Sequence, residues 1–520
     1  MSDDSFVDEL DEPVAPDPSS GAGDERGTLK QGMGFAASSF LSNLVVQLLS
    51  SVLTARLYGV DTIGEYALVT APWLTLIQFS SVAEQTAMVR TLSVVPARDA
   101  KVARTFFSVL GFSFTLTTFV SLIVGVSSVA ALRGPIDQPD LVAPALVVLL
   151  GYVLVENVSW NMDSVFSAFR AGREIFIARF VQAASFLVLA VGLRAVSESV
   201  WSLALATALS FLFALLVRLP MIRRYVARPR RGDVRQGVRE LPALLRFSLP
   251  LVPGSLANGL SSQAPTWLLG GMTNVATVGS YSRAAGVAIR IQDVGFRLSE
   301  MVFPAMVERQ HNDDRKGMQR DLGFALRGSM LPLILVAAVG GGVATTALKV
   351  FGEGFDDAAD AFALLLGTYS LTVLSLLMGQ TILALGNPWV NTSLVLVRSA
   401  CIVALLVPGI ALYDETGAAG ALFLGYVLDV AIRLRLIRRR VFVNGFHHIG
   451  RSVIAVVIAS VPAFAVARVL DRALVEPLGL LAGGVAGSIT YVVVVVLLGG
   501  VSADERQRMV AGVRERLTRS

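Results

Sequence analysis

Arg283, Arg290 and Arg297 recur at intervals of seven in the stretch 280-SYSRAAGVAIRIQDVGFRLSEMVFP-304. On a helix that spacing lines them along one face with about 20° of drift per step. Asp293 and Glu300 stand beside the face and make i,i+3 and i,i+4 pairs with Arg290 and Arg297. A guanidinium offers forked donors that match phosphate oxygens. Three arginines against two acids leave a positive residue, which suits an anionic headgroup. The bland alternative is a self-compensated charge ladder that only locks helices together.

Other ionisable groups interrupt apolar runs: Arg56, Glu84, Glu156, Asp163, Arg398 and Asp429. Asp429 and Arg433 form an i,i+4 pair that reads as structural. Glu156 has Asn157 and Asn161 nearby and no basic residue within one turn. It is therefore a candidate for a protonatable coupling group or a sugar-hydroxyl acceptor, together with Asp163, Asn161 and Glu84; the alternative for Glu156 and Glu84 is a partner of an arginine elsewhere in the chain. Trp73, Gln78, Trp160 and Gln182 are of the types that line sugar cavities, and equally of the types that sit at helix contacts.

Common enzyme chemistries lack their residues. No Gly-x-x-x-x-Gly-Lys-[Ser/Thr] sequence occurs, and no His-Glu-x-x-His pair. The single cysteine, Cys401, excludes an internal disulfide, and His311, His447 and His448 have no zinc spacing. No metal site, no catalytic set and no cofactor is expected beyond a coupling ion, Na+ or H+.

The elements that position these groups follow from composition. Of 520 residues, 54% are hydrophobic and 16% charged, against about 25% charged in soluble proteins, and the mean hydropathy is +0.65. The apolar stretches are continuous runs rather than period-two alternation, which excludes a soluble enzyme and disfavours an outer-membrane barrel. The pattern predicts an all-α polytopic membrane protein with about fourteen transmembrane helices between residues 33 and 499. The fourth span is expected over 142–168 and the eighth over 280–304.

Of the 44 Lys and Arg, 34 fall in segments that share a side with the N-terminus, 5 in the opposite segments and 5 within spans. The first group includes the expected loops 169–179, 218–246 and 433–451. This asymmetry predicts both termini on the cytoplasmic side of a cell membrane. The basic residues belong to topology, so nucleic acid is not an expected partner.

An internal echo suggests a repeat. Gly64-Glu-Tyr66 returns as Gly279-Ser-Tyr281, and Gly172 as Gly386, at offsets of 215 and 214. Two six-helix lobes of the same orientation are expected, related by an axis along the membrane normal, which is a transporter design. The expected organisation is an acidic disordered tail over 1–30, a first lobe over 31–222, a basic linker over 223–245 and a second lobe over 246–440. An appended helix pair over 441–499 and a basic tail over 500–520 complete it.

The stretches 55-ARLYGVDTIGEYALV-69, 86-TAMVR-90, 246-RFSLPLVPGSLANGLSSQ-263, 278-VGSYSRA-284, 301-MVFPAM-306 and 378-MGQTILALGNP-388 resemble polysaccharide flippases of the Wzx type. These belong to the multidrug/oligosaccharidyl-lipid/polysaccharide exporter superfamily. The resemblance runs in order along nearly the whole chain after residue 30. It departs from the family pattern at Pro265-Thr266, where many relatives have Asp-Arg, and at Gly286, where many have Arg. It implies alternating access of a central cavity and a polyprenyl-pyrophosphate-linked oligosaccharide as substrate, alongside membrane lipids and polymerase or glycosyltransferase machinery. On that reading Arg290 and Arg297 bind the headgroup, Arg283 and Arg56 assist from the outer side, and Arg398 contributes from the second lobe. A lipid II flippase and a cation-coupled drug antiporter of the same fold are the alternatives.

Overall fold

The computed structural model describes residues 29–80, 84–93, 95–169, 171–228, 236–242, 252–292, 302, 306–307, 309–310, 312–442 and 447–500. Asp293, Arg297 and Glu300, and the tails 1–28 and 501–520, lie outside the described residues.

The described elements are helical. In the first half they are α1 (Leu29–Ser80), α2 (Glu84–Leu92), α3 (Ala100–Arg133), α4 (Val142–Gly151), α5 (Asn157–Ala168), α6 (Gly172–Arg194) and α7 (Val200–Ile222). The second half has α8 (Val252–Met272), α9 (Val275–Ala288), α10 (Arg315–Gly342), α11 (Ala344–Lys349), α12 (Ala359–Ala384) and α13 (Pro388–Arg440). Helices α14 (His447–Ala473) and α15 (Leu478–Leu497) follow. Among the described residues, nine helical stretches are long and apolar enough to cross a membrane. The chain is a multi-pass membrane protein.

Two helices, of 52 and 53 residues, are long enough for two crossings of about 20 residues each. Helix α1 breaks at Gly59, whose φ of +77° and ψ of 172° are not helical. Its two arms recede together from the Thr273–Asn274 turn between α8 and α9. Gly270 abuts Leu68 near that turn, whereas Gly259 meets Gln78 and Arg283 meets Ser51 deeper in. Helix α13 breaks at Tyr413 and Asp414, the latter with φ +46°. Gly409 and Gly417 then meet backbone to backbone across the break, which in a straight helix would put them about 12 Å apart along the axis. Each is a pair of antiparallel spans.

Packing between the halves is concentrated at the Gly59 end. One buried cluster there draws Ala55, Ile63 and Leu68 of α1 together with Leu269, Val278, Phe355 and Leu406 of the second half. The Arg56 guanidinium donates across the halves to the Val350 carbonyl at 2.8 Å. At the opposite end the buried clusters are separate. Met88, Leu92, Phe106 and Phe166 pack within the first half, and Met318, Leu322, Met378 and Ile437 within the second. Among the described residues, burial of apolar surface thus ties the halves at the Gly59 end and keeps separate clusters at the other.

Helices α14 and α15 attach through small residues. Gly483 and Gly487 lie against Ala467 and Ala463, the close approach that membrane helices use in place of a hydrophobic drive.

Candidate functional site

Arg283 sits where the halves meet. On α9, eight residues from Val275, it lies about 12 Å from the Gly59 end. Its Nη1 donates to Ser51 Oγ at 2.9 Å and its Nη2 to Thr54 Oγ1 at 3.4 Å. Its Nε is buried without an acceptor. Among the described residues no carboxylate pairs with it, so its charge is met by two hydroxyls only. Arg290 is half-buried just past Ile289, the residue that caps α9 with backbone angles still helical. The expected eighth span is therefore described as α9 with one further turn. Whether Arg297 continues that face lies outside the described residues.

Arg56 is exposed and is spent on the Val350 carbonyl at the Gly59 end. It ties the two halves together there.

The first half buries a polar cluster around α5. A single π turn over Tyr152–Glu156 separates α4 from α5, and such turns shift the register so that side chains are re-aimed. Glu156 Oε1 accepts from Trp160 Nε1 at 3.1 Å, Gln182 Nε2 at 3.3 Å and Arg179 Nη1 at 3.5 Å. Its Oε2 is buried without a partner. Asp163 is bridged to Arg179 at 2.8 Å and held by Arg218 through Nε at 2.8 Å and Nη2 at 3.0 Å. The Arg179 guanidinium also lies 5.5 Å from the Trp160 ring centre. Asn161 Nδ2 donates to the Asn157 carbonyl at 2.9 Å, and Ser113 donates to Asn157 Oδ1 at 3.0 Å. Glu84 is buried beside Ser113, whose hydroxyl reaches it at 3.4 Å.

Glu156 and Asp163 are thus partnered by distant arginines, the alternative the sequence leaves open for Glu156. Their cations come from α6 and α7, on residues assigned by sequence to the loops 169–179 and 218–246. Trp160 and Gln182 are donors to Glu156, and Trp73 packs against Tyr152 and Phe211 at 5.8 and 5.6 Å.

The second half has a counterpart. Arg433 pairs with Asp429 at 2.9 Å and donates to Asn391 Oδ1 at 2.7 Å, and Ser375 donates to Asp429. Gly379 on α12 makes room for this pair, because a Cβ there would press on Asn391 Oδ1 and Arg433 Nη1. Arg398 reaches Asn258 Oδ1 at 2.6 Å and lies 4.4 Å over the Tyr426 ring, with Asp429 at 3.9 Å. Arg398 thereby joins α13 to α8.

Arg218 and Arg433 are 215 residues apart, and their side chains are 0% and 2% exposed. The repeat offset connects them, a signal already present in the sequence. Removing a charge from water is tolerable only with a paired and hydrogen-bonded partner, and each has an acid of its own half.

Two further features complete the site. An apolar groove of about 920 Å³ runs between α10, α12, the second arm of α13 and α14, with Asp360, Thr416 and Ser460 among its few polar lining residues. Among the described residues no cluster of His, Cys, Asp or Glu could hold a metal ion.

Comparison with known proteins agrees with this architecture. The lipid II flippase MurJ in an inward closed conformation superposes with a TM-score of 0.69 at 11% identity, over 89% of this chain and 98% of that one. An inward-facing multidrug resistance MATE transporter of the MOP superfamily gives 0.58 at 15% identity, over 78% and 98%. A point mutant of the Vibrio cholerae MATE transporter VcmN gives 0.52 at 15% identity, over 79% and 96%. No curated protein matches in sequence. At these identities the likeness establishes the fold, and the family is established by residues 29–310, which match the polysaccharide biosynthesis protein family. The chain is a member of that family, built on the MOP-superfamily fold.

Proposed function

We propose that this chain is a flippase that carries a polyprenyl-pyrophosphate-linked oligosaccharide from the cytoplasmic to the outer leaflet of a cell membrane by alternating access. The observation that carries the reading is Arg283, a cation at the seam between the halves with two hydroxyl partners and no described carboxylate. A diphosphate supplies the missing charge. Its oxygens suit the fork of a guanidinium, and a low-dielectric seam strengthens the attraction.

Two features support the same reading. Among the described residues the halves share a buried cluster at the Gly59 end and keep separate ones at the other, a division that suits a rocking motion exchanging the open side. The groove beside α14 is apolar and long-walled, as an isoprenoid chain requires. Arg290, Arg297 and Arg398 are assigned to the headgroup path, with both termini cytoplasmic as the basic loops indicate. No ATP motif is present, so the drive is assigned to the membrane potential, an ion gradient or consumption of the product by polymerising enzymes.

The test is a proteoliposome assay with a fluorescent polyprenyl-pyrophosphate oligosaccharide. Wild type should expose the pool of the far leaflet. Arg283→Gln should slow this at least ten-fold, and Arg283→Lys, which keeps the charge without the fork, should fall between. Lipid II belongs in the same assay, because the MurJ fold matches over 98% of that protein. Preferential movement of lipid II would transfer the assignment to that substrate. Accumulation of an organic cation against a proton gradient, with neither lipid moved, would overturn it.

A further inference from the structure

We infer that three arginines at the end of the bundle opposite Gly59 form a binding pocket for the phosphate headgroup of an anionic phospholipid. Arg98, Arg223 and Arg228 line a cavity of about 380 Å³ together with Val226 and Ala227. Arg98 precedes α3, and the other two follow α7, so the pocket joins segments more than 120 residues apart in the chain.

The pocket is built rather than incidental. Arg98 has φ +62°, a left-handed conformation that a residue with a Cβ rarely adopts. A hydrogen bond from its own N–H to the Tyr225 carbonyl at 2.8 Å holds it there. Tyr225 is itself fixed, with its ring 5.3 Å from Phe169 and 5.7 Å from Phe166 and its hydroxyl on Glu174 at 3.1 Å. Glu174 also faces Arg224 at 3.9 Å, and Asp99 caps α3 by accepting from the Lys101 N–H. Glu174 and Asp99 are thus engaged elsewhere. Among the described residues Arg98, Arg223 and Arg228 have no ion pair or side-chain hydrogen bond.

The neighbouring surface selects a lipid over other anions. On α7, Leu212, Phe213, Leu216 and Leu219 are exposed large apolar residues. They form a stripe at helical spacing that ends in Arg223. Acyl chains lying along this stripe place their phosphate at the three guanidinium groups. Basic pockets at the ends of membrane helices recognise anionic headgroups in this way. The soluble competitor within the chain is its own N-terminal tail, with nine Asp and Glu in residues 1–28, but it offers no apolar segment to follow the stripe.

The test is native mass spectrometry of the full chain extracted from bilayers of phosphatidylcholine with phosphatidylglycerol. Wild type should retain phosphatidylglycerol selectively. Arg98→Gln/Arg223→Gln/Arg228→Gln should lose at least ten-fold of it, since each charge near a membrane surface contributes about a five-fold factor. If the triple variant does not fold, Arg228→Gln alone should show the five-fold step. Equal retention by wild type and a folded variant would overturn the proposal. So would displacement of the lipid by millimolar inorganic phosphate, which would make the site one for a soluble anion. Retention that emerges only when the acids of residues 1–28 are changed to Asn and Gln would identify the tail as the occupant.

Discussion

Gly64 and Gly279 are 215 residues apart and pack into each other's helices. A Cβ on Gly64 would fall on the carbonyl of Val275, and a Cβ on Gly279 on the carbonyl of Val60, itself 215 residues before Val275. The contact is reciprocal, as between two copies of one motif about an axis. Glycine inside a helix costs about 1 kcal/mol relative to alanine, so each needs a packing reason, and backbone-to-backbone approach is that reason. Gly279→Leu should hold the Gly59 end apart. With Cys401→Ala removing the native thiol, Val60→Cys should react several-fold faster with a membrane-impermeant maleimide once Gly279→Leu is added. Gly64→Leu should do the same. Unchanged labelling in folded variants would show that this contact does not close the end.

The Asp163–Arg218 pair predicts a stability effect with a rescue. Arg218 is fully buried and bound through two nitrogens. Asp163→Asn leaves that charge unpaired, and breaking a buried pair costs about 3–5 kcal/mol. The melting temperature of Asp163→Asn should fall clearly below wild type. Asp163→Leu/Arg218→Met removes both charges together and should recover most of the loss. A wild-type melt for Asp163→Asn would mean that water or Glu156 already compensates the buried cation.

These two relationships mark what was legible in the sequence and what was not. The spans were legible because hydrocarbon thickness demands long apolar runs, and the Gly64–Gly279 offset was visible as repeated letters. The partners of Glu156 and Asp163 were hidden for a physical reason. Arg179 lies two turns inside α6, and Arg218 lies one turn before the end of α7. An arginine near a helix end reads the same whether it snorkels to water or turns inward. Periodicity within one segment also says nothing of a partner on another helix. Only comparison of Arg218 with Arg433 at the repeat offset would have singled it out.

Arg398 predicts a geometric effect rather than a charge effect. It combines a hydrogen bond to Asn258 at 2.6 Å with stacking on Tyr426 at 4.4 Å, and lysine reproduces neither the planar fork nor the stacking. If Arg398 binds the headgroup, Arg398→Lys should raise the apparent KM of lipid-linked substrate several-fold. Charge alone would suffice if KM is unchanged.

The groove beside α14 predicts a change in rate with little change in affinity. Lipid tails are as apolar as leucine, so an isoprenoid chain leaving the bilayer for this groove gains almost no hydrophobic free energy. The groove fixes where the tail runs, and with it the approach of the diphosphate to Arg283. Ser460 lines the wall, and Ser460→Trp places a bulky ring there while avoiding the charged clusters. Transport should slow several-fold at nearly constant KM, and a photoactivatable prenyl chain should lose its crosslinks to α14. Wild-type crosslinks spread evenly over all lipid-facing helices would instead show that the tail stays in the bilayer and that the groove has another use.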